Sequence, residues 1–155
     1  MDEPKTDIKS LLEAIAKVHE KMPFNRFLGL KVDYLRTDGA GFRFPMKDEF
    51  VGNPIHGILH GGVISAALDA TGGITITASA VGKMLGLSYK EIARRVARMG
   101  TIDVRVDFLR PGRGTEFLST ATIMRTGKKV AVTRMELRNQ DDLLIAVGTG
   151  TYIVG

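Results

Sequence analysis

The stretch LHGGVISAALDATGG (residues 59–73) places a histidine and two glycines directly before an apolar run that carries a single carboxylate, Asp69. The chain continues as ITITASAVG (74–82), whose alternating β-branched residues would on their own suit a strand. Helical spacing nevertheless runs through both parts, at Val63, Ala66, Ala67, Ala70, Ile74 and Thr77. We therefore predict one helix over about residues 61–80, with small residues that let a sheet approach closely.

The flanking segments alternate between helix and strand patterns. DIKSLLEAIAKVHEKM (7–22) predicts a first helix with Asp7 as N-cap, ended by Pro23. FLGLKVDYLR and GAGFRFPM predict a hairpin around TDG, followed by a loop over residues 47–59. In LGLSYKEIARRVARMG (85–100), Ser88 and Glu91 have capping-box spacing and predict a second, amphipathic helix that ends at Gly100.

Four strand patterns complete the chain. TIDVRVDFL alternates strictly, which places Ile102, Val104, Val106 and Phe108 on one face, and three further strands follow after the turns RPGRG, TGKK and QDD. We expect these four strands to form an antiparallel meander. The sequence thus predicts an α+β fold in one domain, residues 1–155, in which about six antiparallel strands wrap around the central helix. Residues 1–22 would form an N-terminal helical segment and residues 83–99 an inserted helix.

Composition excludes several classes of protein. The 155 residues are 44% hydrophobic and 25% charged, which is ordinary for a globular domain, and they include no cysteine, so disulfides and thiolate chemistry are ruled out. The net charge of +5 is too small and too scattered to indicate nucleic acid. Neither a secretory signal nor a run of about 18 uninterrupted apolar residues is evident, so we expect a cytoplasmic protein without a membrane partner.

Four motifs together resemble the hotdog-fold acyl-CoA thioesterases of the phenylacetate-degradation (PaaI-like) family. They are LHGGVISAALDATGG, TIDVRVDFLRPGRG (101–114), RTGKKVAV (125–132) and AVGTGTYIVG (146–155). The likeness extends from about Pro23 to Gly155, and MPFNRFLG, RMGTID and LRPGRG bring the chain nearest to a type that acts on medium to long acyl chains. The resemblance implies hydrolysis of acyl-CoA, without a cofactor, in a homodimer or homotetramer.

The family motif and elementary chemistry together indicate which groups react. A helix N-terminus offers unpaired N–H groups, glycine lets a carbonyl approach the backbone, and the resemblance assigns the oxyanion donor to the Gly61 N–H. Asp69 is the acid of the motif and would act as general base or as nucleophile. The resemblance places Thr101 where relatives orient the attacking water, and we expect His60 to hold the start of the helix by hydrogen bonding.

The spacing between Gly61 and Asp69 predicts how the site is assembled. Eight residues of one helix span about 12 Å, which is too far for both groups to lie within about 3 Å of one thioester carbon. If both act on the same bond, they come from different subunits. We therefore predict two half-sites that a dimer completes.

The remaining candidates concern substrate binding. Gly62 adjoins the donor glycine, and Asn53 stands one residue from the position where relatives often carry an asparagine, which is Pro54 here. Arg110, Arg113 and Lys128 lie in or beside turns where they could meet the phosphates of coenzyme A, or be solvated there. His56 and His60 have metal-ligand spacing, but no third ligand is evident, so we expect no metal site.

Two rival functions remain on the same fold. A non-enzymatic acyl-CoA sensor that regulates genes would need a DNA-binding module, and the residues before Pro23 leave room for one helix only. A dehydratase of hydroxyacyl thioesters would use a catalytic histidine, but the loop before the helix does not resemble that group's.

Overall fold

A six-stranded antiparallel sheet wraps around one long helix in the computed structural model, which describes residues 7–155. The elements are α1 (Ile8–Lys21), α2 (Pro23–Leu28), β1 (Lys31–Leu35), β2 (Gly39–Pro45), β3 (Val51–Asn53), β4 (Ile58–Leu59), α3 (Gly61–Gly82), α4 (Tyr89–Val96), β5 (Gly100–Phe108), β6 (Glu116–Thr126), β7 (Val130–Asn139) and β8 (Leu144–Ile153). The predicted α+β class and the central helix are confirmed. Residues 1–6 of the predicted N-terminal segment lie outside the described residues.

The strand order is β1-β2-β6-β7-β8-β5, so the predicted four-strand meander is wrong at its first member. Strand β5 pairs with β8, from Gly100 opposite Ile153 to Phe108 opposite Ala146, and not with β6. The RPGRG segment is therefore a crossing over one end of the sheet. It is held there because Leu59 N–H donates to the Gly112 carbonyl at 2.9 Å. Strands β1 and β5 are the two edges of the sheet.

Helix α3 is a single helix through the segment whose β-branched residues suit a strand. Burial favours the helix over the strand in this segment, because the sheet covers one side of the helix and α1 packs on another part of it. The buried threonines satisfy their hydroxyls within the helix: Thr71 Oγ1 donates to the Ala67 carbonyl at 2.7 Å, and Thr75 Oγ1 to the Thr71 carbonyl at 2.8 Å.

By length and mean hydropathy, α3 meets the criteria for a helix that crosses a membrane. However, 67% of the relevant window is buried inside the fold. This is the burial that the core helix of a folded domain shows, and it agrees with the enclosing sheet.

Three local predictions need correction. Pro23 ends α1 and also begins α2, where it occupies the first helical position, so residues 27–28 are helical and not part of a strand. The predicted loop over 47–59 contains a short 3₁₀ helix and the two-stranded ribbon β3–β4. The inserted helix covers only Tyr89–Val96 of the predicted 83–99, although its Ser88–Glu91 capping box is present.

The predicted apolar face of β5 is only partly correct. Val104 and Val106 pack against the main core, whereas Ile102 and Phe108 are 51% and 55% exposed. The pairing with β8 is irregular between Thr101 and Asp103, which changes the direction of side chains at this point. The exposed edge strand consequently carries large apolar side chains.

Candidate active site

The N-terminus of α3 has a backbone donor that finds no acceptor among residues 7–155. His60 is the N-cap, and its Nδ1 accepts the Gly62 N–H at 2.8 Å. The His60 carbonyl accepts the N–H groups of Val63 and Ile64 at 3.0 and 3.2 Å. Within residues 7–155, the Gly61 N–H has no acceptor. The Gly61 N–H is therefore free to donate to a substrate oxygen, and its role as oxyanion donor stays a prediction. His60 caps the helix as expected, and the Gly62 N–H is already occupied.

The loop before α3 is fixed by a close backbone contact that the sequence did not indicate. His60 N–H donates to the Phe50 carbonyl at 2.7 Å, and Gly52 approaches so closely that an added Cβ would lie 2.7 Å from the His60 Cα. Glycine is therefore required at position 52 to seat the capping histidine. A small cleft of about 330 Å³ opens beside Gly61, and Phe108 and Arg110 are among the residues that line it.

Asp69 and Thr101 meet at the other candidate half-site. Thr101 Oγ1 donates to Asp69 Oδ1 at 2.8 Å, which joins the middle of α3 to the start of β5. Asp69 is half-buried and Thr101 is exposed. The second carboxylate oxygen, Oδ2, has no donor among the described residues, so it is available to a water molecule or to the substrate.

Tyr152 supports the backbone of Asp69, a role that no sequence motif indicates. Its hydroxyl donates to the Asp69 backbone carbonyl at 3.2 Å, while the side chain is only 2% exposed. Burial, and secondarily the charge of Asp69, raises the pKa of this phenol well above its usual value, so it remains a neutral donor. An added Cβ on Gly72 would overlap this hydroxyl, and so the glycine after Thr71 makes room for it.

An apolar cavity of about 520 Å³ opens beside Thr101, between α1, α3 and α4. Its lining includes Leu11 and Ile15 of α1, Gly73 of α3, and Ile92 and Val96 of α4. Both accessory helices therefore contribute walls. Gly73 lines the cavity from α3, whereas the small residues Ala66 and Ala70 of the same helix do not.

The predicted phosphate contacts fall in separate places. Arg110 lies at the cleft beside Gly61 and donates through Nη1 to the Leu144 carbonyl at 3.0 Å. Arg113 donates to the His56 carbonyl at 3.1 Å, in the loop before α3. Lys128 lies at the far end of the sheet, in the β6–β7 turn.

The remaining loop candidates serve the local backbone. Asn53 Oδ1 accepts the N–H groups of Ile55 and His56 at 3.0 and 3.3 Å, so its carbonyl oxygen is used within the turn. Within residues 7–155, no group of three or more His, Asp and Glu side chains comes together that could hold a metal ion.

Comparison with known proteins agrees with the fold and the motifs. The sequence profile of the thioesterase superfamily matches residues 56–146. The medium/long-chain acyl-CoA thioesterase YigI of Salmonella typhimurium is 48% identical over 134 residues, which is 86% of each chain, and YigI of Escherichia coli is 46% identical over the same length.

Comparison with solved structures indicates the same family. A Shewanella oneidensis protein related to the thioesterase superfamily has a TM-score of 0.91 and 42% identity, covering 96% of this chain and 97% of that one. The E. coli PaaI protein of the phenylacetic acid degradation operon shares the fold, with a TM-score of 0.75 at 19% identity, covering 96% of both chains. By its profile match, by its identity to YigI and by its sheet and central helix, this chain belongs to the thioesterase superfamily.

Proposed function

We propose that this protein hydrolyses acyl-CoA thioesters with medium to long acyl chains to the free acid and coenzyme A. The observation that carries the proposal is the hydrogen-bonded Asp69–Thr101 pair at the edge of a large apolar cavity. A carboxylate beside an apolar cavity suits a substrate that has one reactive carbonyl and a long hydrocarbon tail. The identity to YigI, whose name states this activity, supports the same substrate class.

In this mechanism Thr101 fixes one oxygen of the Asp69 carboxylate and leaves the other free to act. As general base, Asp69 takes a proton from water, and the resulting hydroxide adds to the thioester carbon. As nucleophile, Asp69 adds directly and forms a mixed anhydride that water then cleaves. In both routes the C–S bond breaks, the thiolate of coenzyme A leaves and is protonated, and the products are a carboxylate and a thiol.

The negative charge that develops on the carbonyl oxygen needs a donor, and Gly61 of a second subunit supplies it. Gly61 and Asp69 lie on one continuous helix, about 12 Å apart by helical rise, so a single chain does not bring them to one carbon. The exposed edge of β5, with the apolar side chains of Ile102 and Phe108, is a surface on which a second copy could pair. We therefore propose a homodimer with two equivalent sites, each built from both subunits.

The cavity sets the preference for chain length in this proposal. Each methylene that enters apolar surroundings contributes about 0.8 kcal/mol, which is about a fourfold gain in affinity. KM should therefore fall by about fourfold per added methylene until the cavity is filled, and then level off.

The test is thiol release from a panel of acyl-CoAs of increasing chain length, followed with a disulfide reagent. Because the chain has no cysteine, the protein itself gives no background. We expect kcat/KM to rise with chain length and activity to be lost in Asp69→Asn, while Asp38→Asn, in the exposed β1–β2 turn, keeps full activity. No thiol release at any chain length, or full activity in Asp69→Asn, would refute the proposal.

A further inference from the structure

A second cavity, of about 760 Å³, lies on the side of α4 away from the apolar one and is rimmed by cations. The cations come from three separate parts of the chain: the residue after α3, helix α4 with the second residue after it, and the β6–β7 turn. They are Lys83, Arg94, Arg95, Arg98 and Lys128. Within residues 7–155, none of the five forms an ion pair with a carboxylate within 4.0 Å.

One carboxylate on the helix offsets only part of this positive charge. Glu91 lies three and four residues before Arg94 and Arg95 and interacts with both electrostatically, while its Oε2 accepts from the Ser88 N–H at 3.2 Å and from the Ser88 hydroxyl at 3.0 Å. Like charges gathered around one cavity repel each other, and a bound polyanion relieves the repulsion. The rim therefore selects a ligand with several negative charges.

The floor of the cavity has a different character from its rim. Ala80, Met84 and Val154 line it, and all three are buried apolar side chains. An apolar floor beneath guanidinium groups suits a planar aromatic base next to phosphates, because arginine both stacks on aromatic faces and pairs with phosphate oxygens. The combination matches a nucleotide better than an inorganic anion.

The position of the cavity relative to Asp69 can be estimated from the strand register. Thr101 pairs with Tyr152 on β8, and Tyr152 pairs with Ala131 on β7, three residues after Lys128. Two strand spacings and three residues along a strand amount to roughly 14 Å from Thr101 to Lys128. An extended pantetheine arm covers a gap of this size.

We propose that this cavity binds the 3′-phosphorylated ADP end of coenzyme A, with the α4 arginines and Lys128 contacting its phosphates. The inference rests on the proposed function for the identity of the substrate and adds the place where its nucleotide is held. It gives α4 two roles: one face lines the apolar cavity, and the other supplies the charge that binds the nucleotide.

The decisive comparison uses one acyl group on two carriers, coenzyme A and pantetheine, with the triple variant Arg94→Gln/Arg95→Gln/Arg98→Gln. We expect KM for the acyl-CoA to rise about tenfold to a hundredfold, from three exposed charge contacts. Because these contacts are equal in the ground and transition states, kcat should stay within about twofold. Both constants should be unchanged for the acyl-pantetheine, which has no nucleotide. Arg134→Gln, an exposed cation on β7 that does not line the cavity, is the matched control.

A binding measurement without turnover separates this inference from the proposed function. Adenosine 3′,5′-bisphosphate should raise the melting temperature of the wild-type protein and of Arg134→Gln, but not that of the triple variant. If the wild type releases no thiol from acyl-CoA yet shows this shift, the proposed function fails and the nucleotide site stands.

The opposite pattern overturns the inference alone. Hydrolysis of acyl-CoA by the wild type, together with an unchanged KM in the triple variant, would place the nucleotide elsewhere. An equal rise in KM for acyl-pantetheine would also contradict it, since the arginines would then act on the fold or on the reacting centre.

Discussion

Replacing Gly72 by alanine should unfold the protein at a distinctly lower temperature, whereas the same change at its neighbour Gly73 should not. A Cβ at position 72 would overlap the Tyr152 hydroxyl and lie 2.8 Å from Met135 Sδ, both in the buried core. Overpacking of this kind costs about 1–3 kcal/mol, and displacing the Tyr152 hydroxyl from the Asp69 carbonyl adds about 1 kcal/mol. The total of about 2–4 kcal/mol corresponds to a fall in Tm of about 4–16 °C for a chain of this size.

Gly73→Ala is the matched control, because a Cβ there meets nothing within 4 Å of the chain. Alanine has the higher helix propensity, so the free energy of unfolding should stay unchanged or rise by up to about 1 kcal/mol. Thermal and urea unfolding of the two variants measure the difference, and Gly72→Ala/Tyr152→Phe should recover part of the loss. Equal Tm values for Gly72→Ala and wild type would show that Tyr152 does not pack against this turn of α3.

Two further predictions concern the site and the accessory helix. Thr101→Val should lower kcat by about tenfold to a hundredfold, because it removes one hydrogen bond to a charged group. Thr101→Ser keeps the hydroxyl and should keep most of the activity. Equal values of kcat in the two variants would contradict a catalytic role for the contact with Asp69. Burial lowers the pKa of His19 below its usual 6.5, so the fold favours the neutral ring and loses this stability as pH falls through and below that value. Urea unfolding at about pH 7.5 and about pH 5.5 should show a smaller loss on acidification in His19→Gln than in wild type, and an identical loss would contradict the role of burial.

The sequence was most informative where one local pattern had one physical solution. The helical spacing from Val63 to Thr77 predicted α3, and the Ser88–Glu91 box predicted the start of α4, because both depend on neighbours along the chain. The motif residues Asp69 and Thr101 also come together, 32 positions apart in sequence, with a hydrogen bond of 2.8 Å.

The features that sequence reasoning missed depend on contacts between distant segments. Strand β5 crosses to β8, and no local pattern distinguishes this from a hairpin with β6, since both need the same alternation. Tyr152 supports the site through its side chain and Gly52 through its backbone, and each approaches from another element. Pro23 ends one helix as predicted, but proline at a first helical position also begins one, and the six residues Pro23–Leu28 form that second helix.

In the proposed dimer each site joins Gly61 of one subunit to Asp69 of the other, and mixed dimers distinguish this arrangement from a site within one chain. Gly61→Pro removes the donor and adds a Cβ, and the helix tolerates it because Gly61 is the first residue of α3, where proline fits, and His60 before it is already extended. Gly61→Ala keeps the N–H and adds the same Cβ beside Phe108, so it serves as the control.

Gly61→Pro and Asp69→Asn should each be inactive as homodimers. When equal amounts are unfolded and refolded together, half of the dimers carry one chain of each kind, and each such dimer has one site with both groups intact. We therefore expect the mixture to recover about a quarter of wild-type acyl-CoA hydrolysis. Activity no higher than that of the separate variants, in a mixture shown to contain mixed dimers, would contradict a site shared between subunits.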